Sequence, residues 1–460
     1  MFKKIMTAAL VMFVGAALFA ADASAEGERL VFRADGEYSV LAANSGPRRL
    51  VVRALVSPSG TVRERAPLAV ALVLDKSGSM MSDGKMENAK KGALEALRML
   101  DPRDVAAIVV YDDNVSVPVS ARPVGAGPED PVFYRAISQI RAGGMTALYA
   151  GTAAGADQLR PFIGEGYIPR VVMLSDGMAN VGPSSVEELA ALGKRLSFRD
   201  DITVTTIGLG LDYNEDLMTV LAAESGGNAY FARHAGSLPE IFARDLGDAV
   251  SVTARRVRVR LRWGKGVRPL GIVGRRGETM GDSMEVSIGN LYGGEKYALF
   301  EIEIPEGAGG DLLRAAELEV EYLDAASGAP VKKTASLDVA FTEDKEAAES
   351  SRRADISSQI ELTRNAEVRE AAIQLADSGK IKEAAVLMLE RAKQLQAAAP
   401  GAGEAAPMLS KEAEYFQEYA EDLESAGSLS NTVRKQVMND AYMQKTQQAP
   451  VNGWGEADQD

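Results

Sequence analysis

The chain has no cysteine and a single histidine, His234, in 460 residues. Without thiols there is no disulfide framework, no lipidation site of the bacterial lipoprotein kind, and no Cys or His cluster to recruit zinc. The same shortage leaves the common nucleophile and base pairs unassembled, and no G-x-S-x-G elbow occurs. A phosphate-cradling G-x-x-x-x-G-K-[ST] loop is also missing, while Gly208 and Gly210 in GLGLDYN lack the third glycine of a dinucleotide fingerprint. His234, near the start of a surface helix, reads as a surface or capping residue. Beyond the first twenty-odd residues no apolar run is long enough to span a bilayer.

What is present begins with an export signal. MFKK supplies a positive n-region, IMTAALVMFVGAALFA an apolar core, and Ala23-Ser24-Ala25 a small-x-small cleavage site, so the mature protein is expected to start at Glu26. An uncleaved N-terminal anchor is the alternative. The expected location is the bacterial envelope, periplasmic or secreted. A formal net charge of -14 argues against nucleic acid or anionic membrane as the main partner. The length, with 46% hydrophobic residues, allows two or three cores.

Hydrophobic periodicity divides the chain. Residues 26–65 hold short strand-like runs (LVFR, YSVLA, RRLVVRALVS) between turn residues and are too few to fold alone. Across 66–250, continuous Val/Ile/Leu runs alternate with amphipathic helices, which predicts an α/β, doubly wound, mainly parallel sheet covered on both faces. Across 251–342 the period returns to two: Val257, Val259 and Leu261 alternate with Arg258, Arg260 and Arg262, and Glu-bearing strands follow. Two strand-rich regions flanking an α/β unit imply one antiparallel β-sandwich with that unit inserted in it. Residues 343–400 read as a helical hairpin turning at Asp377-Ser378-Gly379; a single tetratricopeptide-like pair would not make a stable solenoid. A linker and further helices fill 401–445, and 446–460 is an acidic tail expected to be disordered.

Three places in the α/β region carry chemistry: Asp75, Ser77 and Ser79 in LAVALVLDKSGSMM, Thr146 in RAGGMTALYAG, and Asp176 in PRVVMLSDGMANVG. Each lies where an apolar run gives way to Gly and Ser, the strand-end position at which open α/β sheets bind ligands. In D-x-S-x-S the carboxylate ends the strand, and two hydroxyls two residues apart in a turn can face one point. These are hard oxygen donors suited to Mg²⁺, Mn²⁺ or Ca²⁺. Neutral hydroxyls leave such a cation in need of another anion, which suits a binding site more than a storage site.

The motif set over residues 66–250 resembles the von Willebrand factor A family, whose metal-ion-dependent adhesion site is D-x-S-x-S plus a distant Thr and a distant Asp. The likeness extends loosely to the inter-alpha-trypsin inhibitor heavy chain and calcium-activated chloride channel regulator group. It implies that Ser77, Ser79 and Thr146 coordinate directly, that Asp75 and Asp176 act directly or through water, and that a protein partner's Asp or Glu completes the octahedron. The expected function is therefore metal-dependent protein binding, in adhesion or complex assembly, rather than catalysis. A metal-assisted hydrolase and a scaffold with a fold-stabilising metal are the alternatives; oligomeric state is not readable.

Other features have plainer readings. The nine Arg and Lys residues from Arg255 to Arg276 face Glu-bearing strands, where opposite charges stabilise a sheet by roughly 0.2–1 kcal/mol per pair. Asp112 and Asp113 end a strand near the metal face and read as a solvated turn. Met80, Met81 and Met86 read as core filling. The helix SLPEIFARDLGDAV ends the α/β unit and runs directly into VTARRVRVRL, so a shift of that helix would be felt by the sandwich.

Overall fold

A computed structural model describes residues 30–59 and 65–447. The expected export signal and most of the acidic tail lie outside the described residues.

The chain starts with β1 (Leu30–Gly36), β2 (Val40–Ala42) and β3 (Arg48–Pro58), then enters an α/β unit. That unit comprises β4 (Leu68–Asp75), α1 (Lys85–Met99), β5 (Val105–Tyr111), β6 (Val115–Pro123), α2 (Pro131–Ser138), α3 (Leu148–Leu159), β7 (Ile168–Ser175), α4 (Val186–Asp200), β8 (Thr203–Leu209), α5 (Glu215–Ser225), β9 (Ala229–Ala232) and α6 (Leu238–Val250). Its six strands lie in the order β6-β5-β4-β7-β8-β9. All pairings are parallel except β5 with β6. β4, β5, β7 and β8 are buried along their whole length, as strands covered by helices on both faces must be. Apolar side chains on the two faces of β4 feed separate cores: Leu68, Val70 and Leu72 in one, Ala69, Ala71 and Val73 in the other.

β6 is a strand that the sequence pattern does not reveal. Pro118 lies within it and Pro123 ends it, a composition that argues against a central strand. The structure accommodates it as an antiparallel edge whose register shifts between the partners of Ile108 and Val110.

The chain then forms β10 (Ala254–Trp263), β11 (Arg268–Val273), β12 (Gly277–Met280), β13 (Ser283–Leu291), β14 (Lys296–Ile304), β15 (Leu312–Asp324) and β16 (Pro330–Thr342). Two sheets result, β1-β3-β14-β11 and β12-β13-β10-β15-β16-β2. Leu50, Val52, Ala54 and Val56 of β3 share one core with Val257, Val259 and Leu261 of β10. The α/β unit thus departs from one sheet of the sandwich and returns into the other. On the outer face of β10, Arg258 sits opposite Glu321 and Arg260 opposite Glu319. Arg260 also reaches Glu285 at 2.6 Å, so much of the basic run is spent in cross-strand pairs.

The helices α7 (Lys345–Ser350), α8 (Ala354–Asp377), α9 (Ile381–Ala398), α10 (Ala406–Ala426) and α11 (Asn431–Thr446) close the described chain. They fold back on the rest of the molecule. Asp355 of α8 accepts from Arg53 of β3 at 2.9 Å. At the other end, Tyr442 of α11 donates to the Gly227 carbonyl at 2.7 Å, and Lys435 donates to the Tyr213 carbonyl at 2.7 Å while pairing with Glu215.

The α/β unit meets the sandwich at a buried polar junction. Arg170 of β7 donates to Asp245 of α6 at 2.7 Å, with both side chains fully buried. Asp245 also accepts from Thr205 at 2.8 Å and Asn228 at 3.0 Å. The other arm of Arg170 donates to the Tyr292 hydroxyl, between β13 and β14, at 3.3 Å. Burial opposes the guanidinium charge, but Asp245 and Tyr292 outweigh it and hold Arg170 above its usual range.

Candidate metal centre

β4 connects to β5 on one side of the sheet and β7 to β8 on the other, so β4 and β7 flank the point at which strand order reverses. Asp75 is the last residue of β4 and Asp176 follows the last residue of β7. The turn after β4 bends back because the Ser77 amide donates to Asp75 Oδ1 at 2.7 Å. It then enters a short 3₁₀ turn over Gly78–Met81.

The five side chains come together. Ser77 Oγ lies 3.0 Å from Ser79 Oγ, and Ser79 donates to Asp176 Oδ1 at 2.6 Å. Thr146 arrives on a separate loop, between α2 and α3, whose Gly144 carbonyl accepts from the Gly78 amide of the serine turn at 2.9 Å. Gly144 has φ +87°, and a Cβ there would lie 2.6 Å from Asp113 Oδ2, so the loop tolerates only glycine at this point. Above Gly177 the three hydroxyls converge: a Cβ on this residue would lie 3.1 Å from Thr146 Oγ1, 3.3 Å from Ser79 Oγ and 3.8 Å from Ser77 Oγ. That side-chain-free space, ringed by hydroxyls with Asp176 alongside, fits a hard cation. Among the described residues no group of three or more His, Cys, Asp or Glu side chains is placed to hold a metal ion.

Burial pushes the Asp75 carboxyl up to about 6, with Asp176 adding to the rise; hydrogen bonds from Ser77 and Ser175 oppose it. Three supporting residues escape sequence reasoning. Ser175 donates to Asp75 Oδ2 at 2.7 Å, Tyr111 lies over the same oxygen while donating to the Leu174 carbonyl at 3.0 Å, and Asn180 accepts from the Thr146 amide at 2.8 Å. Only Ser175, next to Asp176 at a strand end, carried a readable signal. Asp112 does not join the donors: it pairs with Lys76, and its carbonyl accepts from Ala147 at 2.9 Å, bracing the Thr146 loop.

The methionines divide differently from expectation. Met80 and Met86 are buried, but Met81 is 70% exposed. Met145 and Met178, each within two residues of a donor, are 53% and 54% exposed, so flexible apolar side chains rim the oxygen cluster on three sides.

Fold and site together define a doubly wound α/β domain with a strand-end cluster of hydroxyls and carboxylates, set in a β-sandwich. The particular family follows from comparison: the sequence model of the von Willebrand factor type A domain matches residues 69–244, so this stretch of the chain is a von Willebrand factor type A domain. It is 29% identical over 165 residues to an uncharacterised Synechocystis protein, covering 36% of this chain and 37% of that one. It is 30% identical over 169 residues to human inter-alpha-trypsin inhibitor heavy chain H3, covering 35% of this chain but 19% of the human one. These matches therefore concern the domain and span well under half of either relative. A solved von Willebrand factor type A protein from Catenulispora acidiphila superposes with a TM-score of 0.65 at 17% identity, covering 83% of this chain and 89% of that one. The likeness in fold thus reaches beyond the α/β domain. Members of the family are commonly engaged in protein–protein interaction.

Proposed function

We propose that the protein is a divalent-metal-dependent protein-binding module of the bacterial envelope. Ser77, Ser79 and Thr146 would hold Mg²⁺ or Mn²⁺ through their hydroxyls, with Asp75 and Asp176 supplying negative charge directly or through water. Bound there, the cation supplies an electrophilic position for a carboxylate of the partner. The observation that carries this reading is the convergence of three hydroxyls from two loops on the space above Gly177. The methionine rim supports a protein partner, because exposed Met side chains repack around varied apolar surfaces. The favoured partner presents Asp or Glu between apolar residues. Ser175 and Tyr111 hold Asp75 in place, and Asn180 holds the Thr146 backbone, so the donors stay oriented.

The test is capture of partners from an envelope extract by the full chain in Mg²⁺ and again in EDTA, with Thr146→Ala as a third arm. Capture that survives both EDTA and the substitution refutes the proposal.

A further inference from the structure

One buried cation at the site has no part in the reading above. Lys85 opens α1, is only 7% exposed, and donates to Asp176 Oδ2 at 2.8 Å. A lysine in the first turn of a helix ordinarily extends into water, since its charge opposes the positive end of the helix dipole and its burial is costly. Lys85 accepts both penalties. Its ammonium also lies 3.5 Å from where a Cβ on Gly210 would be, so the loop after β8 closes over it. The other carboxylate oxygen of Asp176 accepts from Ser79, one of the converging hydroxyls. A single carboxylate therefore joins Lys85 to the donor cluster.

We infer that Lys85 is a built-in counter-cation that weakens metal binding, so that firm retention of the cation requires the partner's carboxylate. This rests on the metal reading of the same site. Asp75 and Asp176 provide two negative charges and Lys85 returns one, leaving a divalent ion with surplus positive charge. A carboxylate from the partner cancels that surplus. Metal and partner then raise each other's affinity by the same factor, as linkage requires. Lys85 positions and neutralises Asp176 without touching the partner.

The experiment uses the full chain and Mn²⁺ alone, titrated calorimetrically, with melting curves in EDTA and in saturating Mn²⁺. Lys85→Gln removes the charge while keeping a donor for Asp176, Lys85→Met removes both, and Lys85→Arg keeps the charge. The glutamine and methionine variants should bind Mn²⁺ at least tenfold more tightly than the parent and gain more in melting temperature on saturation; the arginine variant should stay close to the parent. A merely structural lysine would change the melting point without tightening Mn²⁺. Unchanged or weaker affinity in Lys85→Gln, alongside loss of Mn²⁺ binding in Asp176→Asn, overturns the inference alone. Mn²⁺ binding that is indifferent to Asp176→Asn overturns the metal reading and the inference with it.

Discussion

Replacing Asp245 with Ala tests the junction that fixes α6 to the sheet. Asp245 and Arg170 are both fully buried, and the carboxylate accepts from three donors on β7, on β8 and next to β9. Removing it strands the guanidinium charge, which in a buried pair costs about 3–5 kcal/mol. For a domain of this size each kcal/mol moves the melting midpoint by roughly 2–4 °C, so a fall of about 6–20 °C is expected. The double variant Arg170→Met/Asp245→Leu removes the stranded charge but still deprives the Thr205 hydroxyl of its acceptor, at about 1–3 kcal/mol, while Asn228 keeps the Tyr230 hydroxyl. It should therefore be more stable than Asp245→Ala and less stable than the parent. Differential scanning calorimetry on the three chains measures this, provided the transition of the α/β unit is resolved from that of the helices. A loss below about 1 kcal/mol in Asp245→Ala, or a double variant weaker than the single, would refute the view that this pair bolts α6 in place.

Further outcomes can be checked alongside. Asp75→Ala and Asp176→Ala should each lose most Mn²⁺ affinity by calorimetry while keeping the circular dichroism of the parent; unchanged titrations in both contradict the proposed site. Because the Asp75 carboxyl is pushed up to about 6, protons should compete with metal below that pH and lower apparent affinity about tenfold per unit. In EDTA the sign differs: the folded chain holds this proton to higher pH than the unfolded chain, so Asp75 makes stability fall as pH rises from about 4 to about 6, by roughly 1.4 kcal/mol per unit. Saturating metal should flatten or reverse that slope, and metal at a hundred times its dissociation constant should add about 2.7 kcal/mol. Arg260→Ala, which loses partly exposed bonds to Glu285 and Glu319, should cost about 1 kcal/mol or less, an effect reduced by high salt.

How much of this was legible in the sequence depends on how local each cause is. Asp75, Ser77 and Ser79 lie within five residues, and Asp176 stands at the same kind of strand-to-loop boundary, so their meeting follows from one parallel sheet; Thr146, expected at a strand end, comes instead from the loop between α2 and α3. The alternation of Val257, Val259 and Leu261 with arginines reports which face of β10 is buried. Tyr111 and Asn180 were illegible because residues of their kind end many strands and line many loops, and their targets, Asp75 and Thr146, lie 36 and 34 positions away. Lys85 was hidden by its type: only the fold brings a buried carboxylate to it. β6 was obscured by its prolines. The return of α11 to Gly227 and Tyr213 had no local sign, since an amphipathic helix does not name the surface it covers.

The insertion of the α/β domain has a mechanical consequence. The chain leaves the sandwich at the end of β3 and re-enters at the start of β10, and these strands belong to different sheets. Each is an interior strand, β3 between β1 and β14, β10 between β13 and β15. A pull on the Ser77–Asp176 face, as the proposed binding would exert, is thus divided between two chain crossings, besides the ties through Tyr292 and α11. At each crossing the load enters the end of a strand whose hydrogen bonds on both sides resist together, rather than peeling one edge open a bond at a time. A domain hung from a chain end would place the whole load on one linker. The double suspension makes this an architecture suited to holding on under tension.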